Sequence, residues 1–482
     1  MSDLLDALEP KTLWHYFLEL SKIPRPSKQE AAAAAWVAEQ GRALGCAVER
    51  DKVGNVLLRK GASPGRQGRP AVAIQSHVDM VCEKNEGNEH DFSKDPLEIY
   101  RDGDLLRATG TTLGADNGIG VAAALAVLAD NELEHPPLEV LVTVDEETGL
   151  TGANGLESGW LTAKTLLNLD SEEEGELTIG CAGGLDTVAR LTLHRAPPPA
   201  GAKALRLKVA GLKGGHSGID IGAGRGNSIR VLAQVLDEVL APFALSLAKV
   251  SGGNKRNAIP REASAVVLVA PAREQALREA VEQAQAHWRA AFGALDHNLA
   301  VTVEEGHATS IISAAEARAI VGFLLACPHG VEAMSPDIAG LVQTSTNLGL
   351  AETRDDAFEV SFLSRSSLDV SKRALAARVA ATAKLAGFEV QHSGAYPGWK
   401  PEPDAKVVSI IDGVHRELFS KPMIVKAIHA GLECGLIGEK YPGMEMASIG
   451  PSMWDVHTPD EHVSIASVGR FWTFLTAILA RL

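Results

Sequence analysis

Three apolar runs between residues 71 and 170 each give way to side chains that can bind a metal. Ala71-Val-Ala-Ile74 leads through Gln75-Ser76 into His77-Val78-Asp79, residues 138–144 lead into Asp145-Glu146-Glu147, and Leu166-Leu-Asn-Leu169 leads into Asp170. Short, rich in branched residues and apolar on both faces, each run predicts a buried strand in a sheet covered by helices. Ligands of such sheets lie beyond the carboxyl ends of the strands. Between the first two runs, Gly114-Ala-Asp116-Asn-Gly118 precedes the Ala/Leu-rich residues 121–128, which sets Asp116 at the mouth of a helix.

Elsewhere the pattern alternates in type. Leu13, Phe17 and Leu20 share one helical face, Ser27-Lys-Gln-Glu30 has the form of a capping box before a helix starting at Ala31, and residues 48–58 with Gly54-Asn55 predict strand, turn and strand. After Gly180-Cys-Ala-Gly-Gly184 two similar blocks of strand, helix, two strands, helix and strand follow. Strands are expected at 205–209, 246–250, 265–269 and 300–303 in the first block, and at 310–312, 344–348, 358–363 and 388–391 in the second. Helices are expected near 228–240, 274–291, 315–326 and 372–386. The expected fold is α/β: a catalytic domain with a mixed, helix-covered sheet (residues 1–185 and 398–482) and an inserted α+β lid of two tandem ferredoxin-like units (186–397).

Composition narrows the function. A chain of 482 residues exceeds one core, and 45% hydrophobic with 22% charged content is that of an ordinary globular protein. A net charge of −15 argues against nucleic-acid and anionic-membrane surfaces. No run reaches the roughly 18 apolar residues of a membrane span and Met1-Ser-Asp-Leu-Leu-Asp6 has no leader pattern, so a cytoplasmic location is expected. Cys46, Cys82, Cys181, Cys327 and Cys434 are odd in number and widely spaced, which suggests neither a disulfide framework nor a thiolate zinc site.

Carboxylates with imidazole suit zinc, manganese or cobalt without any thiolate. Two such ions roughly 3.5–4 Å apart need a shared ligand, for which a carboxylate with two oxygens is suited. Asp116 is the candidate bridge, with His77 and Asp170 on one ion and Glu147 and His457 (of Asp455-Val-His457-Thr-Pro-Asp460-Glu461) on the other. Asp79 is placed to orient His77, and Glu146 is the candidate general base.

The motifs Ser76-His77-Val-Asp79, Gly114-Ala-Asp116-Asn-Gly118, Asp145-Glu146-Glu147-Thr-Gly149, Asn168-Leu-Asp170-Ser-Glu172, Gly214-Gly-His216-Ser-Gly218 and His457-Thr-Pro-Asp-Glu461 resemble those of the co-catalytic dimetal peptidases that include carboxypeptidase G and peptidase T. Ile23-Pro-Arg-Pro-Ser27, Ala395-Tyr-Pro-Gly-Trp399-Lys-Pro401 and Ile428-His-Ala-Gly-Leu-Glu433-Cys-Gly435 resemble the aminoacyl-histidine dipeptidase (Xaa-His dipeptidase, peptidase D) branch. The resemblance implies hydrolysis of Xaa-His and related dipeptides with two divalent ions per chain, zinc first and manganese or cobalt as alternatives. It puts metal roles on His77, Asp116, Glu147, Asp170 and His457 and catalytic roles on Asp79 and Glu146, in agreement with the chemistry. It also implies an oxyanion-stabilising lid histidine in His216, a carboxylate-binding arginine in Arg365, a lid residue near substrate in Asn257, a cis Asp116-Asn117 peptide, and substrate or structural contacts for His429 and Glu433. A carboxypeptidase or N-acyl-amino-acid deacylase would use the same core, and a non-catalytic metal-binding or assembly protein is the reading from another class. A homodimer is left open.

Overall fold

The computed structural model describes residues 2–482. The chain forms two compact units, one made of the N-terminal residues through Gly180 with Pro401–Ala427 and Leu432–Leu482, the other of Cys181–Lys400 with Ile428–Gly431. Among the described residues no helix is long and apolar enough to cross a membrane.

The first unit is built on an eight-stranded mixed sheet with strand order Ala47–Arg50, Val56–Lys60, Leu138–Thr143, Val72–His77, Thr165–Asn168, Glu445–Ser448, Glu176–Cys181 and Ile424–Ile428. Val72–His77 lies parallel to both Leu138–Thr143 and Thr165–Asn168. Every residue of Val72–His77 and of Leu138–Thr143 is buried, which is why their sequences show no alternation. Leu13, Trp14, Phe17 and Leu20 are fully buried on the helix Lys11–Leu20, as the spacing predicts. The helix Ala31–Ala43 also starts where expected, but the capping box does not form. Glu30, at the N-cap position, makes no side-chain capping hydrogen bond, and the Ser27 hydroxyl donates to Asp79 Oδ2 at 2.7 Å.

The second unit is a nine-stranded antiparallel sheet with two ferredoxin-like halves. One half runs Ala300–Glu305, Lys203–Ala210, Ala263–Val269, Ser246–Gly252; the other runs Val342–Thr353, Ala357–Ser366, Gly183–Thr192, Glu389–Tyr396, with Gly330–Met334 paired to the side of Val342–Thr353. They join where Ser251 and Gly252 pair with Glu352 and Ala351. The helices Ser228–Leu240 and Ala314–Ala326 bury apolar faces in a core that contains Leu205, Leu207, Val235, Phe323, Phe358 and Phe388.

One expectation is corrected. Ile311–Ile312 is not the first strand of the second half; it pairs with Arg195–Ala196 in a separate two-stranded sheet. That place belongs to Gly183–Thr192, which pairs with both Ala357–Ser366 and Glu389–Tyr396. The halves are therefore nested rather than tandem, with the first inserted after the opening strand of the second. The two glycines that begin this strand weaken its sequence signal, since glycine usually marks a turn or break.

Candidate functional site

Parallel pairing carries the ends of Val72–His77, Leu138–Thr143 and Thr165–Asn168 to the same edge of the first unit, so His77, the Glu146-Glu147 pair and Asp170 emerge together. Asp116 joins them from the first turn of the helix Ala115–Ala129, where its ψ of 111° departs from the helix and its peptide to Asn117 is cis. His457 arrives from the C-terminal segment with φ 64°, and Asp145 precedes the acidic pair with φ 50°. Both are left-handed conformations that non-glycine residues adopt when surrounding contacts hold them.

Asp116 stands between the two imidazoles. Its Oδ1 lies 3.1 Å from His77 Nε2, and its Oδ2 lies 3.2 Å from His457 Nε2. Asp170 Oδ1 completes the first group at 3.3 Å from His77 Nε2, and Glu147 Oε2 completes the second at 3.1 Å from His457 Nε2. His77 with Asp116 and Asp170, and Asp116 with Glu147 and His457, each present ligand atoms within 4.8 Å of one another. His77 with Glu146 and Glu147 forms a third such group. The buried Asp170 Oδ1 has no hydrogen-bond partner. A divalent cation would satisfy that oxygen and offset the crowded carboxylates, so the donor set fits two ions sharing Asp116.

The surrounding hydrogen bonds orient these groups. Asp79 is fully buried, with Oδ1 3.4 Å from His77 Nδ1. It accepts the backbone N–H of Glu146 at 3.0 Å and of Glu147 at 3.2 Å, so one carboxylate positions an imidazole and the acidic pair. Burial alone would push its pKa up, but His77, the Glu146 N–H and Ser27 outweigh that and hold it at about 2. Glu146 is pushed well above the usual carboxylate range, first by burial and then by Asp170, Glu433 and Glu147, against the opposing charge of His77. A carboxyl in that state is suited to carrying a proton between two atoms.

Two supporting residues were not singled out from the sequence. Arg25, 1% exposed, donates from Nη1 to the Val78 carbonyl at 3.0 Å and from Nη2 to the Gly114 carbonyl at 2.6 Å, tying the His77 strand end to the Asp116 loop. Glu461, 2% exposed, accepts backbone N–H groups from the Asp116 loop. Both lie inside short motifs quoted above, and that was their only signal, because nothing in a local pattern tells a buried charge from a solvated one. Glu433 is also buried, at 1% exposure, and accepts hydrogen bonds of 2.6 Å from Gln75 and from Thr143. Burial pushes its carboxyl up to about 8.

In the second unit His216, Arg365 and His429 come together. Gly215 and His216 pair with Ile259 and Ala258, and the Asn257 carbonyl accepts the Ser217 N–H at 2.8 Å while the Asn257 side chain is exposed. His216 Nδ1 accepts the N–H of Gly218 at 3.3 Å and of Ile219 at 3.2 Å. With Nδ1 an acceptor, the ring proton belongs on Nε2. Burial, and then the charge of Arg365, lower the basicity of His216. Arg365 is 4% exposed and donates to Ser217 and Tyr396. His429 lies against Ser345, with Nε2 2.7 Å from the hydroxyl.

The chain is 43% identical over 476 residues to the cytosol non-specific dipeptidase of Escherichia coli (strain K12), covering 98% of each sequence. The crystal structure of aminoacylhistidine dipeptidase from Vibrio alginolyticus superimposes with a TM-score of 0.93 at 41% identity, covering 100% of this chain and 99% of that one. The aminopeptidase PepT of Bacillus cereus ATCC 10987, at 16% identity and a TM-score of 0.58 over 98% of both chains, shares the fold. The model of peptidase family M20/M25/M40 matches residues 73–481, and the chain belongs to that family.

Proposed function

We propose that this protein is a dipeptidase that hydrolyses the peptide bond of Xaa-His and related dipeptides with two divalent cations, zinc first among them. The observation that carries the reading is Asp116, whose two oxygens face two separate imidazole and carboxylate groups. Bound cations supply Lewis acidity for the scissile carbonyl and acidify a water at neutral pH. His77 and Asp170 would hold one ion, Glu147 and His457 the other, and Asp116 would be shared by both. Glu146 takes a proton from the attacking water and returns it to the leaving amine, while Asp79 keeps His77 and the Glu146 backbone in register. His216 donates its Nε2–H to the developing oxyanion, a contact that strengthens only as charge develops.

Two relatives similar to this chain over nearly its whole length carry dipeptidase names, which supports a dipeptide as substrate. Arg365 recognises the free carboxylate, since a guanidinium fork matches a carboxylate bidentately. The first unit acts as the catalytic domain and the second as the lid, with the substrate-binding roles there on Arg365, Asn257 and His429, and on Glu433 in the first. The reading includes a cytoplasmic location and allows a homodimer.

The experiment is hydrolysis of Ala-His, its N-acetyl form and Ala-His-Ala, before and after chelation, with metal analysis of the purified protein. A dipeptidase cleaves Ala-His well, loses activity on chelation and holds close to two ions per chain. Preference for the acetylated substrate would instead indicate a deacylase or carboxypeptidase, and metal binding without hydrolysis a non-catalytic protein.

A further inference from the structure

Arg365 and Tyr396 are both cross-strand partners of Gly184, one on each side of the strand Gly183–Thr192. A side chain at Gly184 would collide with the Tyr396 ring, so the ring occupies the space over that glycine. From there the Tyr396 hydroxyl reaches across the intervening strand and accepts a hydrogen bond from Arg365 Nη1 at 2.9 Å. On a second side Arg365 Nε faces Ser217 Oγ at 3.4 Å. The strand end that carries Tyr396 is fixed in turn, because the Lys372 ammonium bonds the Tyr396 carbonyl and pairs with Asp369 at 2.7 Å.

An arginine side chain has several rotatable bonds, and ordering it on ligand binding costs affinity. Here two donors are already engaged at different corners of the guanidinium, which fixes its plane. Nη2 and the second hydrogen of Nη1 are left to form a fork on a ligand carboxylate. We propose that Tyr396 is a positioning residue that pre-orders Arg365 for the substrate carboxylate, through a contact that only a glycine at position 184 permits. This rests on the reading of Arg365 as the carboxylate clamp. The aromatic ring gives the contact its reach and the hydroxyl its direction, so the recognition depends on one oxygen atom.

Tyr396→Phe isolates that atom, since the ring still packs over Gly184. Steady-state kinetics on Ala-His and Ala-His-amide are measured for the wild type, Tyr396→Phe and Arg365→Lys, together with thermal unfolding. One hydrogen bond to a charged group corresponds to about a tenfold change. Tyr396→Phe should therefore raise KM for Ala-His about tenfold, with kcat and the unfolding temperature unchanged and the amide kinetics unaffected. Part of the preference for the free acid would be lost. If Arg365→Lys abolishes that preference and Tyr396→Phe leaves KM unaltered, the positioning role is overturned while the clamp stands. If the wild type itself does not distinguish acid from amide, the clamp fails and the positioning role falls with it. A drop in kcat and unfolding temperature without a change in KM would make the hydroxyl a packing group and also overturn the proposal.

Discussion

Glu461 accepts the backbone N–H of Asp116 on Oε1 at 3.4 Å, and the same carboxylate takes those of Ala115 at 2.8 Å, Gly114 at 3.0 Å and Leu113 at 2.7 Å. It sits four residues after His457. One buried anion therefore ties the loop of the shared carboxylate to the segment of the exposed imidazole, and its charge complements the amino end of the helix Ala115–Ala129. Glu461→Gln would turn amide hydrogens toward backbone donors. A loss of stability on the order of 2–3 kcal/mol is expected, with weaker metal retention. Denaturant unfolding and metal analysis check this; unchanged values in both would show that the loop holds its shape without the anion.

Glu146→Gln keeps the size of the side chain and removes its ability to take a proton. Turnover should fall by roughly 10²–10⁴-fold, the range of a lost general base. The five side chains assigned to the ions are untouched, so metal content should stay near two per chain. Near wild-type turnover would move the base to another group.

His216→Ala removes the Nε2–H donor that the backbone N–H groups of Gly218 and Ile219 set up. A donor used only in the transition state lowers kcat, by about 10²–10³-fold where such a group dominates. KM should move far less. A change confined to KM would make His216 a binding residue.

His429 gives a pH signature to stability. It is 6% exposed, and burial, then the charges of Arg365 and His216, lower its basicity from 6.5 to about 3. In that window the unfolded chain binds a proton that the folded chain does not. The contribution is thus fully present above pH 6.5 and is lost as pH falls toward 3. His429→Gln should flatten the acid side of the stability profile by up to about 1.4 kcal/mol per pH unit. Urea unfolding at pH 7 and pH 5 measures it, and parallel profiles for the two proteins would refute the assignment.

The sequence by itself determined which side chains meet. Short apolar runs rich in branched residues and without alternation point to buried strands, parallel strands deliver their carboxyl ends to one edge, and so His77, Glu147 and Asp170 converge, with Asp116 at a helix mouth and His457 from a distant segment. Only the tertiary structure decided how they are held. Ser27 looks like a helix cap and donates a hydrogen bond to Asp79 instead; Arg25 and Glu461 look like solvated charges and are buried braces. In the second unit, Gly183 and Gly184 look like a linker and open the strand around which Arg365 and Tyr396 are arranged. The physical reason is range. Periodicity records what each residue does to its own segment, whereas a hydrogen bond across tens to hundreds of positions leaves no trace in local pattern until the chain has closed.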